Sequence, residues 1–167
     1  KAIYRANSFH IGENITFLQA DFFKGIPIKK VSADCIICHF TYYIICDVNV
    51  RKKLMISFFD ALKPGGIILI TNPSKNYNPD FIIHESTSLD RKSKMMFAVF
   101  IRKYIVNFLS KILGLNYIFS QLESGKWKWF SLEEIVEEIS QTGFKVFSAK
   151  EVYGKSGYLV MAKKPVH

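Results

Sequence analysis

Two apolar runs flanking one amphipathic helix constrain this chain more than any other feature in it. Asp34 to Phe40 is apolar at successive positions, the pattern of a strand in a parallel sheet covered on both faces. Val48 to Leu62 then places Val50, Leu54, Met55, Phe58, Phe59 and Leu62 at three- and four-residue steps, which is one face of a helix. Asp47 or Asn49 can cap its start. Lys63-Pro64-Gly65-Gly66 stops it, because proline cannot continue a helix and glycine permits the chain to reverse. Ile67 to Thr71 reads as the next strand, closed by Asn72-Pro73.

The remaining segments extend this alternation. Lys1 to Phe9 reads as a short helix and Gly12-Glu13-Asn14 as a turn. Ile15 to Ala20 is an apolar run, expected to be a strand, that ends at Asp21; Phe22 to Ser32 is a loop. Ser131 and Glu134 form a capping box for a helix to Ser140, whose buried stripe is Leu132, Ile135, Val136 and Ile139, and Gly143 ends it. Phe144 to Val152 and Tyr158 to Lys163 read as strands, and the short glycine-containing link Gly154 to Gly157 makes them an antiparallel pair. Strand, strand, helix, strand, insert, helix, strand, strand is the order of a layered α/β sheet. At 167 residues the chain fits one domain with a real core. It opens at Lys1, inside what reads as a helix, so it is expected to continue upstream.

Net charge is +9, which would suit a nucleic acid or an anionic lipid surface. However, the lysines are scattered in short pairs such as Lys29-Lys30 and Lys163-Lys164, no run of five basic residues exists, and the abundance of Lys, Ile, Asn, Phe and Tyr reads as codon bias. Nucleic acid is therefore not the expected partner. Cys35, Cys38 and Cys46 form no disulfide-like framework, which points to a reducing, cytoplasmic compartment. Cys35-x-x-Cys38 has metal-pair spacing, but within a strand the two side chains should point to opposite faces, and no second such pair exists.

Taken together, these segments resemble the class I S-adenosylmethionine-dependent methyltransferases. Ile15-Thr-Phe-Leu-Gln-Ala-Asp21 is similar to that family's third strand, which ends in an acidic residue, and Ser32-Ala-Asp-Cys-Ile-Ile-Cys-His39 to its fourth. Leu62-Lys-Pro-Gly-Gly-Ile-Ile-Leu-Ile70 is similar to the turn and fifth strand, and the Ser131 helix with the closing hairpin to the C-terminal end. The resemblance implies a Rossmann-like sheet, mostly parallel with an antiparallel C-terminal hairpin. It also implies S-adenosyl-L-methionine as cofactor. Ligands in such sheets sit at the carboxyl ends of the strands. The resemblance gives Asp21 the adenine amino group, gives Phe22 an amide for a ring nitrogen and a ring over the base, and sets Cys38, His39 and Phe40 beside the methionine portion. His39 would polarise or deprotonate an acceptor, or else be a neutral histidine hydrogen-bonded at a strand end. Tyr42 and Tyr43 read as packing more than as lid contacts. A sulfonium is already electrophilic, so alignment and exclusion of water matter more than acid–base help, and no triad is expected.

The family's glycine-rich strand-to-helix loop and the acidic end of its second strand have no counterpart here. Gly65-Gly66 precedes a strand and Gly154-x-x-Gly157 joins two strands. The expected chain is thus a partial domain lacking the first two strands, with residues 74–129 inserted as a helical lid before the last helix. Three readings stand for the apolar stretch Met95 to Phe119: a lid over a greasy acceptor, an interfacial helix on a membrane surface, or core packing alone. Lys126-Trp127-Lys128-Trp129-Phe130 interleaves cations and aromatics as base-stacking surfaces do. Three functions compete: methyl transfer to a small-molecule or lipid-like acceptor, a non-catalytic relic or partner subunit, and an RNA-directed enzyme. The last lacks an Asn-Pro-Pro-Tyr type motif, since Cys38-His39-Phe40-Thr41 stands in that place. Without the glycine loop, calorimetric titration of the 167-residue chain with S-adenosylmethionine is expected to show no micromolar binding; a saturable micromolar isotherm would refute the assignment of a partial cofactor site.

Overall fold

The computed structural model describes residues 14–90 and 114–166, the side chains of 86–90 excepted. Its elements are β1 (Ala33–His39), α1 (Val48–Ala61), β2 (Leu62–Pro73), α2 (Pro79–Asp90), α3 (Asn116–Glu123), α4 (Leu132–Ser140), β3 (Lys145–Val152) and β4 (Gly157–Lys163). Single 3₁₀ turns occupy Phe22–Lys24 and Tyr42–Ile44. The sheet runs β1-β2-β4-β3. β1 and β2 are parallel, with α1 as their crossover, and β4 is antiparallel to both β2 and β3. This is the mixed α/β sheet with a closing hairpin that the segment order predicts. The expected helix at Lys1 to Phe9 and most of Met95 to Phe119 lie outside the described residues.

Local signals decide the helices. Asp47 caps α1 by accepting from the amides of Asn49 (2.7 Å) and Val50 (3.1 Å). At α4, Ser131 accepts from the Glu134 amide (3.2 Å) and Glu134 answers at the Ser131 amide (2.7 Å), so two orphan donors are satisfied reciprocally. Lys164 reaches the far end of α1 and donates to the carbonyls of Phe59 (2.6 Å) and Leu62 (2.8 Å), a cation on the negative end of a helix.

The strands differ from the sequence reading in three ways. First, Ile15 to Ala20 forms no strand with any described residue, and Ile15 and Leu18 are 51% and 61% exposed. An apolar run becomes a strand only where a neighbouring backbone accepts its hydrogen bonds, and no described strand is paired with it. Second, Lys63 to Gly66 belongs to β2. Ala33 faces Leu62 and Cys35 faces Ile67, so a two-residue step on β1 answers a five-residue step on β2, and the intervening turn bulges out of the ladder. Gly65 sits at φ +78°, and a Cβ on Gly66 would lie 2.9 Å from the Lys63 carbonyl oxygen. β2 then continues through Asn72 and Pro73, paired with Tyr158 and Gly157, where the reading had closed it.

Third, among the described residues only one face of β1 is packed against helices. Cross-strand partners share a face, so Cys38, Ile70 and Val160 lie together, as do Ile68 and Ala162. These five are buried beneath Leu54, Met55 and Phe58 of α1 and Ile135 and Ile139 of α4. The opposite face carries Cys35, Ile37, Ile67, Leu69 and Met161, with Ile37 70% exposed. Within the described sheet β1 is also an edge. Cys35 and Cys38 fall on opposite sides as expected, one exposed and one buried.

One polar junction ties the covering layer to the loop after β1. The Arg51 guanidinium, on α1, is held by both Glu138 oxygens on α4 (Nη2 to Oε1 2.7 Å, Nε to Oε2 3.0 Å). It also donates to the Ile45 and Cys46 carbonyls (3.0 and 2.7 Å) and lies over the Phe130 ring. Tyr42, buried in the 3₁₀ turn, donates its hydroxyl proton to Glu138 (2.6 Å). Burial first, and this hydrogen bond second, hold that phenol well above its ordinary pKa. Breaking a buried pair strands a charge, whereas replacing both partners does not. The Arg51 side chain is 4% exposed and that of Glu138 22%. Glu138→Ala should therefore cost about 3 kcal/mol, the low end for a buried pair. In urea titrations the Arg51→Met/Glu138→Leu double variant should recover most of that loss.

Candidate functional site

The expected site residues separate into two groups. Asp21 and Phe22 belong to the 3₁₀ turn that follows the unpaired segment. Asp21 caps this turn, accepting from the Phe23 amide at 3.0 Å, and both residues are exposed. Gly25, at φ +94°, ends the turn, and a Cβ there would meet Ser57 of α1 at 3.7 Å. This group therefore packs beside the second half of α1. Neither Asp21 nor Phe22 hydrogen-bonds to the second group.

Cys38, His39 and Phe40 do come together, at the carboxyl end of β1. Cys38 faces the core, and burial raises its thiol pKa to about 11, so it stays protonated and is no nucleophile. His39 points the other way and is exposed, as strand alternation requires. Its Nδ1 lies 2.6 Å from the hydroxyl of Thr71, its register partner on β2. The Phe40 amide also donates to that hydroxyl, at 3.2 Å, so the imidazole is oriented by one neutral partner rather than by a carboxylate.

An aromatic rim surrounds it. Phe40, at φ +46°, sets its ring edge-on to His39 (5.0 Å), Tyr43 (6.2 Å) and Tyr153 (5.6 Å). Tyr153, in the β3–β4 turn, is itself at φ +56°. Two bulky residues in the left-handed region face each other here, which concentrates backbone strain at one end of the sheet. Tyr43 is 2% exposed and meets Trp127 at 5.3 Å, so the insert packs directly on the segment after β1. Burial raises the Tyr43 phenol to about 12. Tyr42 and Tyr43 are thus packing residues, as read, and Tyr43 is a contact with the insert as well.

Sequence reasoning missed Thr71 and Tyr153. The alternation of β2 could have placed Thr71 beside His39, but only once the bulge at Lys63 to Gly66 had set the register. It also missed an open groove of about 360 Å³ between α2 and the β3–β4 turn, lined by Phe81, His84, Glu85, Gly154 and Lys155. Gly154 makes this approach possible, since a Cβ there would lie 3.2 Å from the Phe81 backbone. Among the described residues no helix is long and apolar enough to cross a membrane.

No protein-family model matches the sequence, and no curated protein does. Solved structures do match the fold. An S-adenosylmethionine-dependent methyltransferase from Aquifex aeolicus aligns over 96% of this chain and 60% of its own, with TM-score 0.58 and 16% identity. Another from Mesorhizobium loti aligns over 96% and 74%, with TM-score 0.59 and 15% identity. The [4+2]-cyclase SpnF aligns over 99% and 62%, with TM-score 0.62 and 12% identity. The chain thus spans about three-fifths of two of these proteins. At such identities the likeness is one of architecture: the chain has the Rossmann-like α/β fold that these methyltransferases share.

The Thr71 hydroxyl can be tested directly. Thr71→Val should cost about 1 kcal/mol for the lost hydrogen bond. It should also release the His39 tautomer, seen as convergence of the two ring ¹⁵N shifts at neutral pH, while Thr71→Ser should keep them apart. Unchanged shifts in Thr71→Val would show that another group orients the ring.

Proposed function

We propose that the protein transfers a methyl group from S-adenosylmethionine to a small-molecule or lipid-like acceptor in the cytoplasm. The observation that carries this reading is the rim at the carboxyl end of β1, where Thr71 presents His39 among Phe40, Tyr43 and Tyr153. In open α/β sheets the crevice beyond these strand ends is where ligands bind. The shared fold supports the same reading, although SpnF warns that architecture alone does not fix the reaction.

The bound cofactor would supply the electrophilic methyl group. The chain's own residues would do the rest. Asp21 has one carboxylate oxygen committed to the Phe23 amide, and as an exposed acceptor it suits an adenine amino group. The half-exposed Phe22 ring, 37% accessible, suits the face of a base. Cys38, His39 and Phe40 would border the methionine portion, with His39 Nε2 directed outward. Where the Thr71 hydroxyl accepts from Nδ1–H, the outward Nε2 would carry the free lone pair and could take a proton from the acceptor. The aromatic side chains would exclude water and fix the acceptor's orientation, which is most of what this reaction needs.

The test uses the longest natural form of the protein and methyl-tritiated S-adenosylmethionine. Micromolar binding is expected, weakened at least tenfold by Asp21→Asn. His39→Ala should lower turnover more than it raises the KM for cofactor. Absence of binding by that form would favour the reading of a non-catalytic relic. Salt-dependent labelling of RNA would replace the small-molecule acceptor with a nucleic acid.

A further inference from the structure

The β3–β4 turn carries three successive residues in the left-handed region: Tyr153 (φ +56°), Gly154 (φ +60°) and Lys155 (φ +67°). The Ser156 amide closes the turn on the Tyr153 carbonyl at 3.0 Å, so Gly154 and Lys155 hold its two central positions. Glycine or asparagine suits such a position, whereas a lysine is opposed by its own Cβ. Two fully buried serines hold the turn in place. The Ser74 hydroxyl donates to the Lys155 carbonyl at 2.5 Å, and the Ser74 amide to the Ser156 carbonyl at 3.0 Å. The Ser156 hydroxyl donates to the Asn78 carbonyl (3.1 Å) and accepts from the Asn78 amide (3.2 Å). The Asn78 side chain in turn accepts from the Asp80 amide, at the start of α2 (2.8 Å). The turn is thereby fastened to the helix it faces.

That helix and this turn are the two walls of the open groove of about 360 Å³. Phe81, His84 and Glu85 line one wall, three and four residues apart and so on one face of α2. Phe81 is 54% exposed, which leaves an aromatic surface in the groove. Lys155, also exposed, stands on the other wall. Ion pairs among the described residues engage Lys30, Arg51, Lys63 and Lys128, and Glu85 has interactions of its own within the protein. The Lys155 ammonium is in none of these pairs. A lysine kept where glycine would relieve strain, and aimed into a cavity without a carboxylate of its own, breaks a local rule with no internal compensation. Such exceptions concentrate at functional positions.

We infer that this groove binds a small organic anion with a flat apolar body. The Lys155 ammonium meets the anionic group, the His84 ring donates a hydrogen bond to it, and the body lies on Phe81. The rigid mounting of the turn means that Lys155 is positioned before the ligand arrives. The same turn carries Tyr153, whose ring centroid is 6.3 Å from that of His39, so the groove adjoins the aromatic rim. The inference rests on the methyl-transfer reading only in naming this ligand the methyl acceptor, anchored by its charged end beside His39.

Benzoate is the probe and benzamide its uncharged control, each titrated by ligand-observed NMR into the longest natural form of the protein. Saturable benzoate binding is expected, with benzamide at least tenfold weaker. Lys155→Gly should weaken benzoate at least tenfold without lowering the thermal midpoint, because glycine adopts the left-handed conformation freely. Lys155→Arg should keep benzoate affinity within threefold. Glu85→Gln, which removes a negative charge from the opposite wall, should leave benzoate binding as strong or stronger. Absence of benzoate binding would overturn the inference, as would equal affinity for benzamide or unchanged affinity in Lys155→Gly. S-adenosylhomocysteine titrated into the same protein reads the cofactor site separately. If it fails to bind while benzoate still discriminates, the methyl-transfer reading falls and the groove stands; the reverse result removes the groove and leaves that reading intact.

Discussion

The loop that follows β1 is held by charge rather than by secondary structure, and the accessible end of the sheet depends on it. Arg51 has as neighbours one carboxylate, two backbone carbonyls and an aromatic ring. They lie at three places: α4, the turn after β1 that supplies both carbonyls, and the residue preceding α4's cap. A hydrophobic contact would tolerate sliding between these segments, whereas a planar guanidinium with fixed donors does not. The position of Tyr42, and hence of Tyr43 and Phe40 beside it, follows from where Arg51 can place its bonds. Desolvating the ion pair is costly, and the return is registry between helices that are far apart in sequence.

That registry extends into the sheet. α1 lies over the face of β1 and β2 that carries Cys38 and Ile70, so the opposite side chains, His39 and Thr71, are left to meet each other. The bulge at Lys63 to Gly66 sets this pairing. One residue more or fewer in that turn would bring a neighbour of Thr71 opposite His39 and reverse the faces. The candidate chemistry therefore depends on a turn at the other end of the strand from the histidine it serves.

How much of this was legible in the sequence depended on how local the cause was. Helix α4 announced itself, because Ser131 and Glu134 are three residues apart and complete their box within one turn. Asp47 could be named as a cap for the same reason. The closing hairpin was readable from a short link containing two glycines. Ile15 to Ala20 misled because periodicity reports what a segment can bury and not whether a partner strand exists. Arg51 and Glu138 could not be paired by inspection, being 87 residues apart and each ordinary on a helix surface. Of the candidate site, residues adjacent in sequence (Cys38, His39 and Phe40) came together, and the orienting hydroxyl, 32 positions away, was invisible until the register was known.

The uncovered face of the sheet has a consequence for the molecule as a material. Ile37 stands in the middle of the strand at the edge of the described sheet, 70% exposed, flanked by the half-open Leu69 and Met161 on the other strands of its row. Edges of this kind recruit backbone from whatever chain is near, and apolar patches of this kind reward the encounter. Crowding, more than heat, should thus set the practical limit on this chain in solution. Its first failure on concentration would be coalescence through intact sheets, with the helices still folded.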